Sequence, residues 1–113
     1  MIKRGEIYLA DLDPVRGHEQ AGTRPVLIIQ NDVGNQYSST TIAAAITSRL
    51  SKKRLAVHME ISAQESGLPQ DSVVLLDQIR TLDQERLIRS MGRLSTEKMR
   101  EVDLALHKSL ELL

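Results

Sequence analysis

The pattern of apolar and polar positions changes period once along the chain, near residue 95. Before that point, short apolar stretches alternate or run for a few residues between turn signals; after it, apolar residues recur every three or four positions. Residues 6–10 (EIYLA) alternate between Gly5 and Asp11 and predict a first strand. Residues 24–30 predict a second, its run Val26-Leu27-Ile28-Ile29 reading as buried, with Pro25 tolerated because it stands at the beginning. Residues 31–39 hold Asn-Asp and Gly-Asn pairs and read as a turn or irregular segment. Residues 41–48 (TIAAAITS) suit a helix by alanine content and a strand by Thr41, Ile42, Ile46 and Thr47; the strand is the reading taken. Residues 55–62 alternate cleanly, with Leu55, Val57, Met59 and Ile61 on one face, and residues 72–79 and 88–94 predict two further strands, the last entered through a turn at 83–86. A helix then follows, capped by Ser95 or Thr96, with Met99, Val102, Leu106, Leu110 and Leu113 as its apolar stripe.

Five to seven strands and one closing helix are therefore expected within a single domain over residues 1–113. No segment supplies the 10 to 15 residue helical crossovers of parallel sheets, so the sheet is expected to be mainly antiparallel and strongly curved, as in a small barrel. The polar segment between the first two strands, broken by Pro14, Gly17 and Gly22, exceeds the usual connection length, and loops of that length tend to be functional.

Composition narrows the chemistry. Fifteen Lys and Arg balance fifteen Asp and Glu, so only local charge is informative. Residues 33–59 contain no acid, while Arg49, Lys52, Lys53 and Arg54 crowd together, either as a solvated basic turn or as an edge that attracts phosphate. Cysteine is absent, which rules out disulfides, thiolate catalysis and Cys-based zinc sites. Neither a spanning segment nor a signal peptide is legible, so a soluble cytoplasmic protein is expected. Tyr8 and Tyr37 are the only aromatic residues, too few for a broad base-stacking platform.

A metal site finds no support and no cofactor is expected: His18, His58 and His107 lack metal-ligand spacing, and Asp11-x-Asp13 is followed by Pro14 in a turn pattern. His58 reads as a surface residue on the polar face of its strand, and His107 as solvated on the last helix. Phosphate loops and nucleophile elbows are absent, which leaves Glu19, Gln20, Arg24 and Thr47.

These residues carry a resemblance. The stretch GHEQAGTRP at 17–25 resembles the G-S-E-Q-x-G-x-R-P signature of the MazF/PemK toxins, metal-independent endoribonucleases of type II toxin–antitoxin systems. KRGEIY at 3–8 is similar to that family's R-G-[DE]-[IV]-[YW], the Ala-Ile-Thr ending at Thr47 to one of its strand ends, and DQIRT at 77–81 to its D/E-Q-[IV]-R-T segment, so the likeness runs in order along nearly the whole chain. The resemblance implies an SH3-like small barrel with a C-terminal helix, shared with the gyrase-poisoning CcdB proteins. It also implies an RNA groove across a homodimer interface, and an antitoxin of the MazE kind whose acidic, extended tail occupies that groove.

By position, the resemblance assigns catalysis to Arg24, Thr47 and Glu19. Attack by the ribose 2′-oxygen on phosphorus yields a 2′,3′-cyclic phosphate and a 5′-hydroxyl, and needs alignment, a proton acceptor and stabilised non-bridging oxygens. A guanidinium suits the oxygens and is a poor base at neutral pH. Thr47 is expected to donate to the same phosphate. Glu19 is either the proton acceptor or a carboxylate that holds Arg24. His18 stands where many relatives have Ser, and an imidazole there could share acid–base work or contact a base. RNA contacts are expected from Gly17, Gln20, Thr23, Asn31, Arg49, Lys52, Lys53, Arg54 and Gln78. The competing reading is a non-catalytic, CcdB-like toxin that grips a protein such as DNA gyrase.

Overall fold

The computed structural model describes residues 1–12, 22–49 and 55–112. Among them six strands form one antiparallel sheet in the order β4-β5-β3-β2-β1-β6. The strands are β1 (Glu6–Asp11), β2 (Thr23–Ile28), β3 (Thr40–Thr47), β4 (His58–Ile61), β5 (Ser72–Asp83) and β6 (Leu87–Arg93). Helices α1 (Asp32–Tyr37), α2 (Ala63–Ser66) and α3 (Thr96–Leu110) interrupt or follow them. The mainly β architecture with a C-terminal helix is the expected one, but the barrel is open: β4 and β6 end the strand order without pairing to each other. No helix among the described residues is long and apolar enough to cross a membrane.

Both faces of the central strands are buried, which explains the unbroken apolar run in β2. Leu27 and Ile29 belong to one cluster with Ala44, Ile46, Val74 and the helix residues Met99, Val102 and Ala105. Val26 and Ile28 belong to a second, with Ala10, Ala43 and Leu82. The sheet bends at irregularities in two ladders. Between Ala44 and Ala45 of β3 the partner on β5 jumps from Ile79 to Leu75, and the β1–β6 ladder shifts twice. Bulges of this kind increase local twist and curl a sheet.

Curling brings the two free ends together through a contact of backbone on backbone. The C-cap of α2, Ser66-Gly67, lies so close to Met91-Gly92 of β6 that a β-carbon on Gly92 would stand 1.9 Å from Ser66 O, and one on Gly67 would stand 2.3 Å from Met91 O. Gly67 also adopts φ +78°, which only glycine takes without strain.

The motif residues Arg4 and Gly5 serve the fold. Arg4 Nε donates to Ile29 O at 2.8 Å and Nη2 to Asp103 Oδ1 at 2.6 Å, which ties the N-terminus to β2 and to α3. Gly5 N donates to Ile28 O at 2.8 Å, while Gly5 O accepts from Leu94 N at 2.9 Å.

Several expectations need correction. Residues 31–39 are not merely a turn: Asn31 caps α1, its side-chain oxygen accepting from Gly34 N at 2.7 Å, and buried Asn35 accepts from Thr41 Oγ1 at 2.7 Å. The strand expected over 55–62 shortens to His58–Ile61, because a turn in which His58 N donates to Leu55 O leaves Leu55 exposed. Helix α2 was not anticipated, although its capping box, Ser62 with Glu65, is a sequence signal. His58 is not a plain surface residue, since its Nε2 lies 3.0 Å from Asp77 Oδ1. His107 is half-buried, its Nδ1 enclosed without a hydrogen-bond partner among the described residues, because it flanks the buried helix stripe. That stripe runs through Met99, Val102 and Ala105, with Leu106 half-buried and Leu110 49% exposed; Leu113 lies outside the described residues.

Gly92→Ala is expected to destabilise the protein by about 1–3 kcal/mol, because the overpacked contact is backbone that cannot rotate away; urea denaturation midpoints measure this. Stability should also depend on Asp32. The Arg4 backbone N–H that donates to its carboxylate holds Asp32 below the usual carboxyl range, burial opposes the shift, and Asn35, Lys3 and Arg93 reinforce it. A depressed folded-state pKa gives stability that is fully present above about pH 4, the ordinary carboxyl value, and is lost as pH falls through the folded value. Asp32→Asn should therefore weaken the acid-side loss in a series of urea melts, and an unchanged acid limb would remove Asp32 as its source.

Candidate functional site

Arg24 and Thr47 sit on adjacent strands at one end of the sheet, near the start of β2 and at the end of β3. The β2–β3 ladder pairs Val26 with Ala45, Leu27 with Ala44 and Ile28 with Ala43. The ladder ends at Val26 and Ala45; alternation along each strand puts Arg24 on the face of Val26 and Thr47 on that of Ala45, so the two residues share a face two positions beyond the last pair. Outer ladders fix each strand independently, since Arg24 pairs with Ala10 of β1 and Thr47 with Val73 of β5. Alanines at 10 and 45 leave the face low around the guanidinium. Arg24 is exposed, while Val26, two positions along the same face, is 1% exposed. A cation that reaches solvent is thus mounted on a rigid buried strand.

Neighbouring backbone completes this end of the sheet. Thr23 pairs with Asp11 beside Arg24. Arg49 follows Thr47 closely, and its backbone N–H donates to Thr47 Oγ1 at 3.1 Å. Accepting that bond orients the hydroxyl and keeps its hydrogen for another acceptor.

The remaining expected residues divide into two groups. Asn31 lies at the opposite end of β2, where it caps α1, and Gln78 is exposed where β5 departs from its register with β3; neither joins the Arg24–Thr47 end. Gly17, His18, Glu19, Gln20, Lys52, Lys53 and Arg54 lie outside the described residues.

A pair of titratable groups passed over in the sequence shares the same face. His58 pairs with Leu75, which pairs with Ala45, so His58 lies one row from the line Glu60–Val73–Thr47. Its Nε2 meets Asp77 Oδ1 at 3.0 Å, with side-chain exposures of 18% and 35%. A carboxylate on an imidazole fixes its ring and supports acid–base work. The available signal was weak: His58 and Asp77 lie nineteen positions apart, and only the β4–β5 pairing joins them. Burial, and secondarily the Glu6 carboxylate, raise the Tyr8 hydroxyl, which stays a neutral phenol on this face. Among the described residues no three His, Cys, Asp or Glu side chains gather as a metal site would require.

An open, curled antiparallel sheet followed by a C-terminal helix, with an arginine and a threonine on one face at one sheet end, defines a small, mainly β protein of the open-barrel class. The sequence profile of the PemK-like, MazF-like toxins of type II toxin–antitoxin systems matches residues 3–110. The chain belongs to that family. Similar solved structures include MazF from Deinococcus radiodurans, at 26% identity and TM-score 0.82 over 97% of this chain and 96% of that one. The Mycobacterium tuberculosis toxin MazF-mt6 is 27% identical with TM-score 0.79, over 94% of this chain and 96% of that one. An endoribonuclease from a mycobacterial species, solved in complex with its cognate antitoxin, shares the fold at 23% identity and TM-score 0.82, over 100% of this chain and 98% of that one.

The juxtaposition can be checked on a cysteine-free background. The double variant Arg24→Cys with Thr47→Cys should oxidise readily to an intrachain cross-link, since directly opposed β-carbons approach disulfide geometry. Arg24→Cys with Ile46→Cys, on opposite faces, should not. Free-thiol titration and intact mass read both, and the reverse pattern would refute the register.

Proposed function

We infer that the protein is a sequence-specific, metal-independent endoribonuclease toxin that cleaves single-stranded RNA and thereby stops translation and growth. The observation that supports this most is the Arg24–Thr47 pair, which offers a bidentate cation and a hydroxyl donor to one phosphate. In the proposed reaction the ribose 2′-oxygen attacks phosphorus, the bond from phosphorus to the 5′-oxygen breaks, and a 2′,3′-cyclic phosphate and a 5′-hydroxyl result. Arg24 stabilises charge on the non-bridging oxygens, and Thr47 donates to one of them. Glu19 takes the 2′-hydroxyl proton, and His18 assists by giving a proton to the leaving 5′-oxygen. The His58–Asp77 pair on the same face is a second acid–base group within the described residues. RNA passes over Gly17, Gln20, Thr23, Arg49, Lys52, Lys53 and Arg54, with Asn31 and Gln78 as more distant contacts.

The protein acts in the cytoplasm as a homodimer. It is neutralised by a MazE-like antitoxin whose acidic tail occupies the RNA groove; the mycobacterial relative solved with its cognate antitoxin supports such a partner. Basic residues at 49–54 attract phosphate and carboxylate alike. A CcdB-like grip on a protein target is the competing reading, and a binder of that kind would not need an arginine and a threonine paired for phosphate.

Digestion of a long RNA, with primer extension and end analysis, should reveal discrete cuts with cyclic phosphate ends that persist in EDTA. Arg24→Ala and Thr47→Ala should each lower kcat by about 100-fold or more without a loss of thermal stability. EDTA-sensitive cleavage, or full activity in Arg24→Ala, would refute the proposed chemistry; inertness on all RNAs alongside tight capture of a purified gyrase would establish the competing one.

A further inference from the structure

At the sheet end that carries Arg24, on the face turned away from Thr47, lies a cleft of about 280 Å³. Its walls are apolar. Half-buried Leu9, Pro25 and Met91 line it from β1, β2 and β6, with Ile46 of β3 and Leu68 of the α2–β5 turn buried behind them as its floor; Pro25 and Ile46 are each next in the chain to Arg24 or Thr47 and therefore on the other face of their strands. Its rim is polar, formed by Ser48, Gln70 and Arg24 itself, all exposed. The turn that carries Gln70 is held in place, because Ser72 Oγ donates to Gln70 O at 3.0 Å. Only the strand ends separate the two faces here, since β2 begins at Thr23 and β3 stops at Thr47.

We propose that this cleft is a nucleobase subsite. It takes the base of an RNA nucleotide next to the phosphate held by Arg24, with Gln70 and Ser48 reading the base edge, and it rests on the ribonuclease reading above. A base has flat apolar faces and an edge of alternating donors and acceptors. The walls suit the faces, and the rim suits the edge, because an amide and a hydroxyl each donate and accept. An aliphatic peptide side chain would fill the walls yet leave Gln70 and Ser48 with no group to bond. Arg24, which belongs both to the cleft rim and to the row with Thr47, gives the attached phosphate its counter-charge within one nucleotide's reach. Neither tyrosine of the chain lines the cleft, so proline and aliphatic side chains, rather than a stacking ring, would hold the base.

The test is digestion of a randomised single-stranded RNA pool by the wild-type protein, Gln70→Ala and Ser48→Ala, with sequencing of the 5′-hydroxyl ends. Expected is a relaxation of preference by about tenfold at one nucleotide position beside the cut, with preferences elsewhere retained. A uniform fall in rate over all sequences, or unchanged preferences, overturns the subsite. A binding series provides a readout free of turnover: short RNAs, 2′-deoxy at the cut and abasic at one position in turn. The wild-type protein should lose affinity most at one abasic position, and Gln70→Ala should abolish that difference; equal loss at every position overturns the subsite. If Gln70→Ala instead loses an acidic peptide with an apolar terminus while its RNA preferences stand, the cleft belongs to a protein partner and the subsite is refuted. Wild-type protein that cuts nothing in the pool defeats the ribonuclease reading, and the abasic series still decides the cleft.

Discussion

The register between β2 and β3 is the constraint on which the candidate site depends. Side chains alternate along a strand, so a slip of one residue would send Arg24 and Thr47 to opposite faces and separate any shared phosphate contact. Burial on both faces forbids the slip. Val26 and Ile28 fill one cluster, Leu27 and Ile29 the other, and Ala43 and Ala44 opposite them are fully enclosed. Moving either strand by one position would leave large side chains to compete for space that alanine vacates. The apolar run after Arg24-Pro25 is therefore the clamp that determines where the guanidinium points.

Much of this was legible in the sequence because period and burial agree. β1, β2, β5, β6 and α3 emerge near their expected places, and the Ser95 cap of α3 is where the change of period puts it. The failures have local causes. Residues 31–39 carry turn-forming residues, yet the Asn31 cap and the buried Asn35, bonded to Gln30, Thr41 and Asp32, fold them into α1. That network is local, within residues 30–41, but it depends on side-chain hydrogen bonds that periodicity and turn propensity do not report. Alternation through 55–62 promised a longer β4, but Leu55 and its turn leave the sheet before His58. The C-terminal stripe overran the truth because burial ends at Ala105, while helical period continues to Leu110.

The site was legible in part. That Arg24 and Thr47 share a face follows from two predicted strands, their alternation and the register of the buried residues beside them. His58 and Asp77 were hidden because their contact depends on β4–β5 pairing and on the irregular stretch of β5 between Leu75 and Ile79. Conversely, Arg4 stands in a motif that the resemblance picks out, yet the structure spends it on Ile29 O and Asp103. A motif mixes residues that hold the fold with residues that face a ligand, and only their contacts separate the two kinds.

The open barrel is closed by packing instead of pairing. Where a closed barrel would have a ladder of hydrogen bonds, the described chain has the glycine seam between Ser66-Gly67 and Met91-Gly92. Leu68 and Met91, which stand on the two sides of that seam, also line the cleft. Leu68 belongs to the main core cluster and Met91 packs against it, so the seam is held by apolar burial rather than by strand pairing. The cleft therefore lies where the sheet is closed by packing alone, while Arg24 on its rim and Thr47 beyond it are fastened by paired strands.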